Sequence, residues 1–225
     1  MPYGGRRKRV SIFVDGANMF YTQKKGLGWF FDPAKLLRVL KADDDLTDAY
    51  WFMGMKQPPD PRDENFVRFL AYAGYVVRTK GLKTIYDSET GETTQKANLD
   101  VEIVMDMFNT VDNFDKVILL SGDGDFERAL ELLRSRGKEI CVVSTQNWIA
   151  AELRMAVGSH FLDLQDLRDK IERTDRTPPP APVERVTTDA RPAPEAKPAS
   201  EPPSSARPAP EDKPAGEPPS SPNAS

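Results

Sequence analysis

The sequence contains very little cysteine or histidine, the side chains that build many metal sites and nucleophilic centres. Its 225 residues include one cysteine, Cys141, and one histidine, His160. A single cysteine excludes a disulfide within the chain and a cysteine-rich zinc site. A single histidine excludes a His-Glu-x-x-His zinc motif and other sites with several histidine ligands. Both residues lie beside apolar neighbours, so we expect both to be structural.

Long apolar runs are also missing. The basic start of the chain is followed by a short apolar run at 10–14, which is shorter than the apolar part of a signal peptide. No stretch approaches the length of a membrane span. We therefore expect a soluble, cytoplasmic protein with no membrane partner.

An excess of positive charge is missing as well, since the formal net charge is −4. A general nucleic-acid coat protein would be strongly basic, so this class is disfavoured. The net charge does not disfavour a nuclease, because only the binding face of a nuclease needs positive potential.

The composition divides the chain near residue 173. Large apolar residues almost vanish beyond this point, and most of the 20 prolines lie there. We expect a basic N-terminal segment (1–8), one folded domain (9–173) and a disordered tail rich in Pro, Ala, Ser and Glu (174–225). The tail repeats a 16-residue unit at 190–205 and 206–221, with two differences. A passive tether is favoured for it, and a protein partner that binds the tail is left open.

The domain alternates short β-rich runs with helical patterns. Strands are predicted at 10–14, 49–53, 75–77, 117–120, 140–143 and, shortest, 160–162. Helices are predicted from 33 and at 65–73, 98–109, 125–136, 148–157 and 164–173, and a small hairpin at 83–86 with a turn near 87–91. This alternation predicts an α/β fold with an open, mostly parallel sheet and helices on both faces. In such sheets, binding sites form at the carboxyl ends of the strands.

Carboxylates are the remaining candidates for chemistry. Asp15 follows the first predicted strand, and Asp123 and Asp125 follow the fourth. Taken singly, each fits a turn or a helix N-cap. Because both loops end strands of the same predicted sheet, we expect these side chains to form a site.

Asp100 lies near the start of a predicted helix, on the side that also carries Ile103 and Met107. A charge on a core-facing stripe is costly unless it is paired or binds a metal, and a residue at the boundary of an amphipathic helix is the alternative left open. Asp106 is about 120° away on the helix, so we expect a supporting role for it. Converging carboxylates need a cation, and oxygen ligands favour Mg²⁺ or Mn²⁺. The matching chemistry is phosphodiester hydrolysis.

Three motifs in this order resemble the NYN domain family, the LabA-like branch of the PIN-like nucleases. They are VDGAN at 14–18, Lys-x-x-x-Asp-Val at 96–101 and SGDGDF at 121–126, and the resemblance covers roughly 9–163. It implies a three-layer α/β/α sandwich with strand order 3-2-1-4-5, and a ribonuclease that uses Mg²⁺ or Mn²⁺. The second motif departs from the common Lys-x-x-Asp spacing.

The resemblance also implies roles for individual residues. Asp15, Asp100 and Asp123 would bind metal, and Asp125 would complete the catalytic cluster. The residues expected to orient substrate or support the cluster are Asn18, Lys96, Asp106 and Ser121.

RNA would need positive and aromatic side chains near the site. The candidates for phosphate contact are Arg78, Lys80 and Lys83, with further basic residues at 6–9 and 24–25. The candidates for base stacking are Trp29, Phe30 and Tyr86. For each residue alone, a solvated charge or a core aromatic is the favoured interpretation.

Other functions fit less well. A haloacid-dehalogenase-type phosphatase needs an Asp-x-Asp pair after the first strand, where this chain has Ala17. A dinucleotide-binding fold needs Gly-x-Gly-x-x-Gly there. The serious alternative is a catalytically silent NYN domain that binds RNA or a protein as a regulatory module. A homodimer is left open.

Overall fold

A computed structural model of the chain describes residues 7–86 and 93–174. The strands are β1 (Arg9–Asp15), β2 (Asp45–Met55), β3 (Val76–Gly81), β4 (Lys83–Tyr86), β5 (Thr93–Lys96), β6 (Lys116–Leu120), β7 (Glu139–Ser144) and β8 (Phe161–Asp163). Six of them form a parallel sheet of order β3-β2-β1-β6-β7-β8, and β4 and β5 form an antiparallel hairpin.

Helices fill the connections between the strands. They are α1 (Gly16–Tyr21), α2 (Pro33–Lys41), α3 (Pro61–Ala73), α4 (Asp100–Asn109), α5 (Glu127–Ser135), α6 (Ala151–Val157) and α7 (Arg168–Ile171). A π-helix (Thr22–Leu27) continues α1, and 3₁₀ turns lie at Val111–Asn113, Gly124–Phe126, Gly158–His160 and Leu164–Leu167. In the described part of the chain, none of these helices has the length and apolarity to cross a membrane.

Local sequence explains where two of the helices begin. The Asp32 carboxylate accepts hydrogen bonds from the first amides of α2, and Pro33 occupies the first helical turn. Asp60 and Pro61 begin α3 in the same way. An aspartate cap satisfies free amide groups, and proline has no amide to lose there.

The sheet is buried on both faces, which gives the molecule three layers. Along β1, Ile12 and Val14 pack into one apolar core and Phe13 into the other, as the two-residue period of a strand requires. The first core includes side chains of α1, α2, α3 and α7, and the second those of α4, α5 and α6. The predicted α/β/α sandwich is therefore confirmed.

The predicted strand order is also confirmed, and β8 adds a sixth strand at the edge beside β7. Two predicted helices, 125–136 and 164–173, instead begin with 3₁₀ turns. The helical segment that follows β1 was not predicted. The turn predicted near 87–91, most of the basic segment 1–8 and all but the first residue of the predicted tail lie outside the described residues.

Candidate active site

The two strands at the centre of the sheet end side by side. Val14 of β1 lies in register with Leu120 of β6, so the residues that follow them emerge at the same edge. From this pair the chain continues outward in opposite directions, through β2 and β3 on one side and β7 and β8 on the other. Such a switch point opens a crevice at the carboxyl ends of parallel strands.

Asp15 ends β1 at this edge of the sheet, and both of its carboxylate oxygens accept hydrogen bonds. Oδ1 accepts a hydrogen bond from the Asn18 amide at 3.0 Å, which caps α1, and Oδ2 accepts one from the Ser121 hydroxyl at 3.1 Å. The residue is 7% exposed. Burial raises the pKa of Asp15 to about 6; the Asn18 hydrogen bond opposes this rise, and the charge of Asp100 adds to it. An ionised Asp15 therefore needs positive charge nearby.

Ser121 joins the two loops of the crevice. Besides donating to Asp15, its hydroxyl oxygen accepts a hydrogen bond from the Asp123 amide at 3.2 Å. Asp123 in turn caps the 3₁₀ turn, because its Oδ1 accepts from the Asp125 amide at 3.1 Å. Phe126 then fixes the turn, since its ring is fully buried in the core. The Asp-x-Asp loop is therefore anchored by Ser121 at one end and by Phe126 at the other.

Asn18 and Gly122 hold the same loop from the other side. The Asn18 side-chain oxygen accepts a hydrogen bond from the Gly122 amide at 3.0 Å. The Gly122 carbonyl accepts one from the Ala150 amide at 2.8 Å. A Cβ atom on Gly122 would overlap the carbonyl oxygen of Trp148, so only glycine fits at this position without a shift of the backbone.

Three further carboxylates converge near Asp15. One oxygen each from Asp100, Asp123 and Asp125 lies within 4.8 Å of the other two. Asp100 and Asp123 are half-buried and Asp125 is exposed. Three negative groups at this separation repel one another unless a cation lies between them. Carboxylate oxygens are the ligands that Mg²⁺ and Mn²⁺ prefer, so the donor set fits the expected metal.

The predicted metal ligands are placed in two layers. Asp100 and Asp123 belong to the converging group, and Asp125 is the third member. Asp15 lies behind them, close enough that the charges of Asp100 and Asp123 both raise its pKa. Ser121 and Asn18 hold the loop through side-chain hydrogen bonds.

Asp106 and two of the predicted RNA-contact residues lie in a different arrangement. Arg78 pairs with Asp106, with 2.9 Å between Nε and Oδ2. Lys80 pairs with Glu102 at 2.6 Å and also donates to the carbonyl of Asn98 at 2.8 Å. These contacts join β3 to α4, so both cations already have carboxylate partners within the fold. Lys83 is exposed, and the side chain of Lys96 lies outside the described residues.

The aromatic candidates for base stacking are buried or half-buried where the structure describes their side chains. Trp29 is buried at 6% exposure and Phe30 is half-buried, while the Tyr86 side chain lies outside the described residues. Sequence reasoning missed Trp148 and Tyr21, each of which is 38% exposed. The sequence signal that could have identified Trp148 is its position, because residue 148 follows a strand that ends at the same edge of the sheet as the carboxylates.

Glu152 was missed as well. A Cβ atom on Gly124 would overlap its carboxylate, so this side chain packs against the acidic loop between Asp123 and Asp125. Glu152 lies in the first turn of α6. An acidic residue is common there because it interacts well with the helix dipole, so its position in the sequence does not by itself indicate a functional role.

Comparison with known proteins agrees with this architecture. The NYN domain family model matches residues 9–165. The chain is 50% identical over 177 residues to the low amplitude and bright protein LabA of Synechococcus elongatus. This match covers 77% of this chain and 93% of that protein. A crystal structure of a Vibrio parahaemolyticus protein of unknown function is 25% identical, with a TM-score of 0.63 over 73% of this chain and 96% of the other.

The family model spans β1 to the 3₁₀ turn after β8, and therefore includes every candidate carboxylate described above. The chain belongs to the NYN domain family.

Proposed function

We propose that this protein is a metal-dependent ribonuclease that hydrolyses RNA phosphodiester bonds at the acidic crevice. The observation that carries this proposal is the convergence of the Asp100, Asp123 and Asp125 carboxylates within 4.8 Å at the switch point of the sheet. Membership of the NYN domain family, whose fold is PIN-like, supports the reaction class.

The three converging carboxylates would hold Mg²⁺ or Mn²⁺ through their oxygens. When bound, such an ion supplies Lewis acidity and positive charge beside the scissile phosphate. The protein's own residues fix the positions of the acidic groups. Ser121 fixes the Asp15 carboxylate and the Asp123 amide at once, and Asn18 fixes Gly122. These hydrogen bonds hold the loop that carries Asp123 in place against the repulsion among the carboxylates.

RNA is the proposed substrate, and it must approach a negatively charged crevice. The carboxylates repel a phosphate unless a cation neutralises them, so binding and hydrolysis should share one metal requirement. The formal net charge of −4 strengthens this expectation. We therefore propose that chelation weakens RNA binding as well as stopping cleavage.

The test uses the full chain and an end-labelled RNA that contains single-stranded and hairpin regions. Cleavage is followed on gels with Mg²⁺, with Mn²⁺ and with EDTA, beside Asp100→Asn and Asp123→Asn. Each variant should lose at least roughly 100-fold in rate, because even groups outside the ligand sphere contribute about 10- to 100-fold. A DNA strand of the same sequence tests whether the 2′-hydroxyl is needed.

Asp169→Asn is the matched control, since it makes the same chemical change at an exposed position of α7. It should cleave like the wild type. If the control and both variants retain equal activity, the crevice is not the active site. If the wild type binds RNA tightly without any cleavage, the protein is the regulatory RNA-binding module that was the alternative from sequence.

A further inference from the structure

Trp148 is an exposed indole beside the acidic loop. It is 38% exposed, whereas Trp29 and Trp51 are 6% and 4% exposed. Exposure of a large aromatic ring has an apolar cost that burial would remove. Neither core cluster includes Trp148, although its neighbours Ile149 and Ala150 pack against one of them.

The backbone fixes this tryptophan next to the carboxylates. Its carbonyl oxygen lies against Gly122, directly before Asp123. Its amide donates to the Thr145 carbonyl at 2.9 Å, and Ala150 donates to Gly122 at 2.8 Å. The peptide that presents the indole is therefore bound to the loop that presents Asp123, and the two should keep a constant separation.

The indole packs on the π-helix that follows α1. A Cβ atom on Gly26 would overlap ring atoms Cδ1 and Nε1 of Trp148, so the glycine lets the two segments approach. The π-helix begins at Thr22, whose hydroxyl donates to Asn18 at 3.4 Å. The indole edge, the π-helix and the acidic loop thus form one connected rim. π-helical segments are rare and occur frequently at functional sites.

The π-helix also brings positive charge to this rim. The Lys25 ammonium lies 5.2 Å from the centroid of the Tyr21 ring, and both side chains are exposed. By contrast, Arg78 and Lys80 are held by carboxylates of α4. Aromatic rings beside lysines are the combination that binds single-stranded nucleic acid, through base stacking and phosphate contacts.

We propose that Trp148 stacks on a base of single-stranded RNA and that Lys25 contacts its backbone, which directs the strand to the acidic crevice. This inference rests on the proposed function, because it names the form of RNA which that site accepts. Single-stranded RNA is favoured over duplex because paired bases are stacked on each other and do not present a free face to the indole.

Intrinsic fluorescence can test the stacking directly. With Trp29 and Trp51 buried, quenching by a bound base should arise at Trp148. The full chain is titrated with a short oligouridylate and with a duplex of similar length. Ca²⁺ replaces Mg²⁺ to slow cleavage, and a gel verifies that the RNA stays intact. Oligouridylate should quench the emission, and the duplex should quench it less.

Three variants complete the design, with affinity measured by anisotropy of labelled oligouridylate. Trp148→Phe should abolish the quench but retain most of the affinity, because phenylalanine also stacks. Trp148→Ala should weaken binding by roughly 5- to 150-fold, the range of one lost stacking contact. Lys25→Gln should reduce the slope of log affinity against log salt by about 0.7. Tyr72→Ala is the control, since Tyr72 is an 86% exposed aromatic on α3.

The outcomes separate this inference from the nuclease. Two results would refute the stacking surface: oligouridylate that binds the wild type without a quench, or oligouridylate that binds Trp148→Ala with unchanged affinity while this variant melts like the wild type. Either result would refute it even if cleavage depends on metal and on Asp123. An equal quench by duplex refutes the single-strand preference. A quench without cleavage under Mg²⁺ or Mn²⁺ supports the surface and refutes the nuclease. No quench, no binding and no cleavage overturn both.

Discussion

Asp15→Asn should make the metal-free protein more stable at neutral pH, although it removes a group of the proposed active site. Burial raises the pKa of Asp15 from an ordinary 3.8 to about 6. The folded chain therefore binds this proton more tightly than the unfolded chain. The resulting contribution to stability is fully present below pH 3.8 and is lost as the pH rises through 6, because ∂ΔG/∂pH is negative over that window.

The size of the effect follows from the two pKa values. Their separation corresponds to about 3 kcal/mol of free energy of unfolding, at a pH above both values. Asparagine has nearly the same shape and no charge to bury. Its oxygen can still accept from the Asn18 amide, and its NH₂ group can donate to the Ser121 hydroxyl oxygen. Most of the gain should therefore survive the substitution.

The measurement is urea unfolding in EDTA over a series of pH values, for wild type and Asp15→Asn. The difference in unfolding free energy should be near zero below about pH 4 and should rise to about 3 kcal/mol above pH 7. Mg²⁺ should then stabilise the wild type more than the variant, because the ion binds the folded state. A difference that does not change with pH, or a variant that is less stable at pH 7, would refute the reasoning. Asp169→Asn should give a flat profile.

Other substitutions test how the loops are held. Gly122→Ala would press a methyl group against the Trp148 carbonyl oxygen, so we expect a lower melting temperature and a loss of RNA cleavage; unchanged melting would contradict the close approach. Phe126→Ala should lower the free energy of unfolding by about 3–5 kcal/mol in urea, because the ring is fully buried beneath the acidic loop. Arg9→Gln should destabilise the protein most at neutral pH and less near pH 3, because Arg9 lowers the pKa of Asp115, and the stability from this pair is fully present above pH 3.8 and declines as the pH falls below that value towards the lowered pKa. An equal loss at both pH values, or no weakening in high salt, would contradict that account.

The sequence by itself determined the layered α/β plan. Strands with continuous apolar runs, such as 117–120, are buried on both faces, and an Asp-Pro pair begins a helix at 33 as the pattern predicted. The positions of Asp15 and Asp123 at the carboxyl ends of two strands of that sheet also followed. The resemblance to the NYN domain family, and not periodicity, implied that these two strands are neighbours, as they are. The strands and helix starts themselves depend on local periodicity and capping, which short stretches of sequence encode.

The helical segment after β1 shows where local patterns were insufficient. It carries glycines at 16 and 26 and has no extended apolar stripe. Tertiary contacts stabilise it instead: the Gln23 side chain donates to the Met19 carbonyl at 2.9 Å and accepts from the Phe31 amide at 2.8 Å. Such contacts override helix propensity and cannot be seen in a local window.

The tertiary structure alone decided which charged and aromatic groups face the site. It placed Asp125 with Asp100 and Asp123 and left Asp15 behind them, and it paired Arg78 with a carboxylate 28 residues away. It also left Trp148 at the surface. Each outcome depends on the distance between groups far apart in the chain, because pairing and burial are set by which elements pack together. Spacing along the sequence does not contain that information.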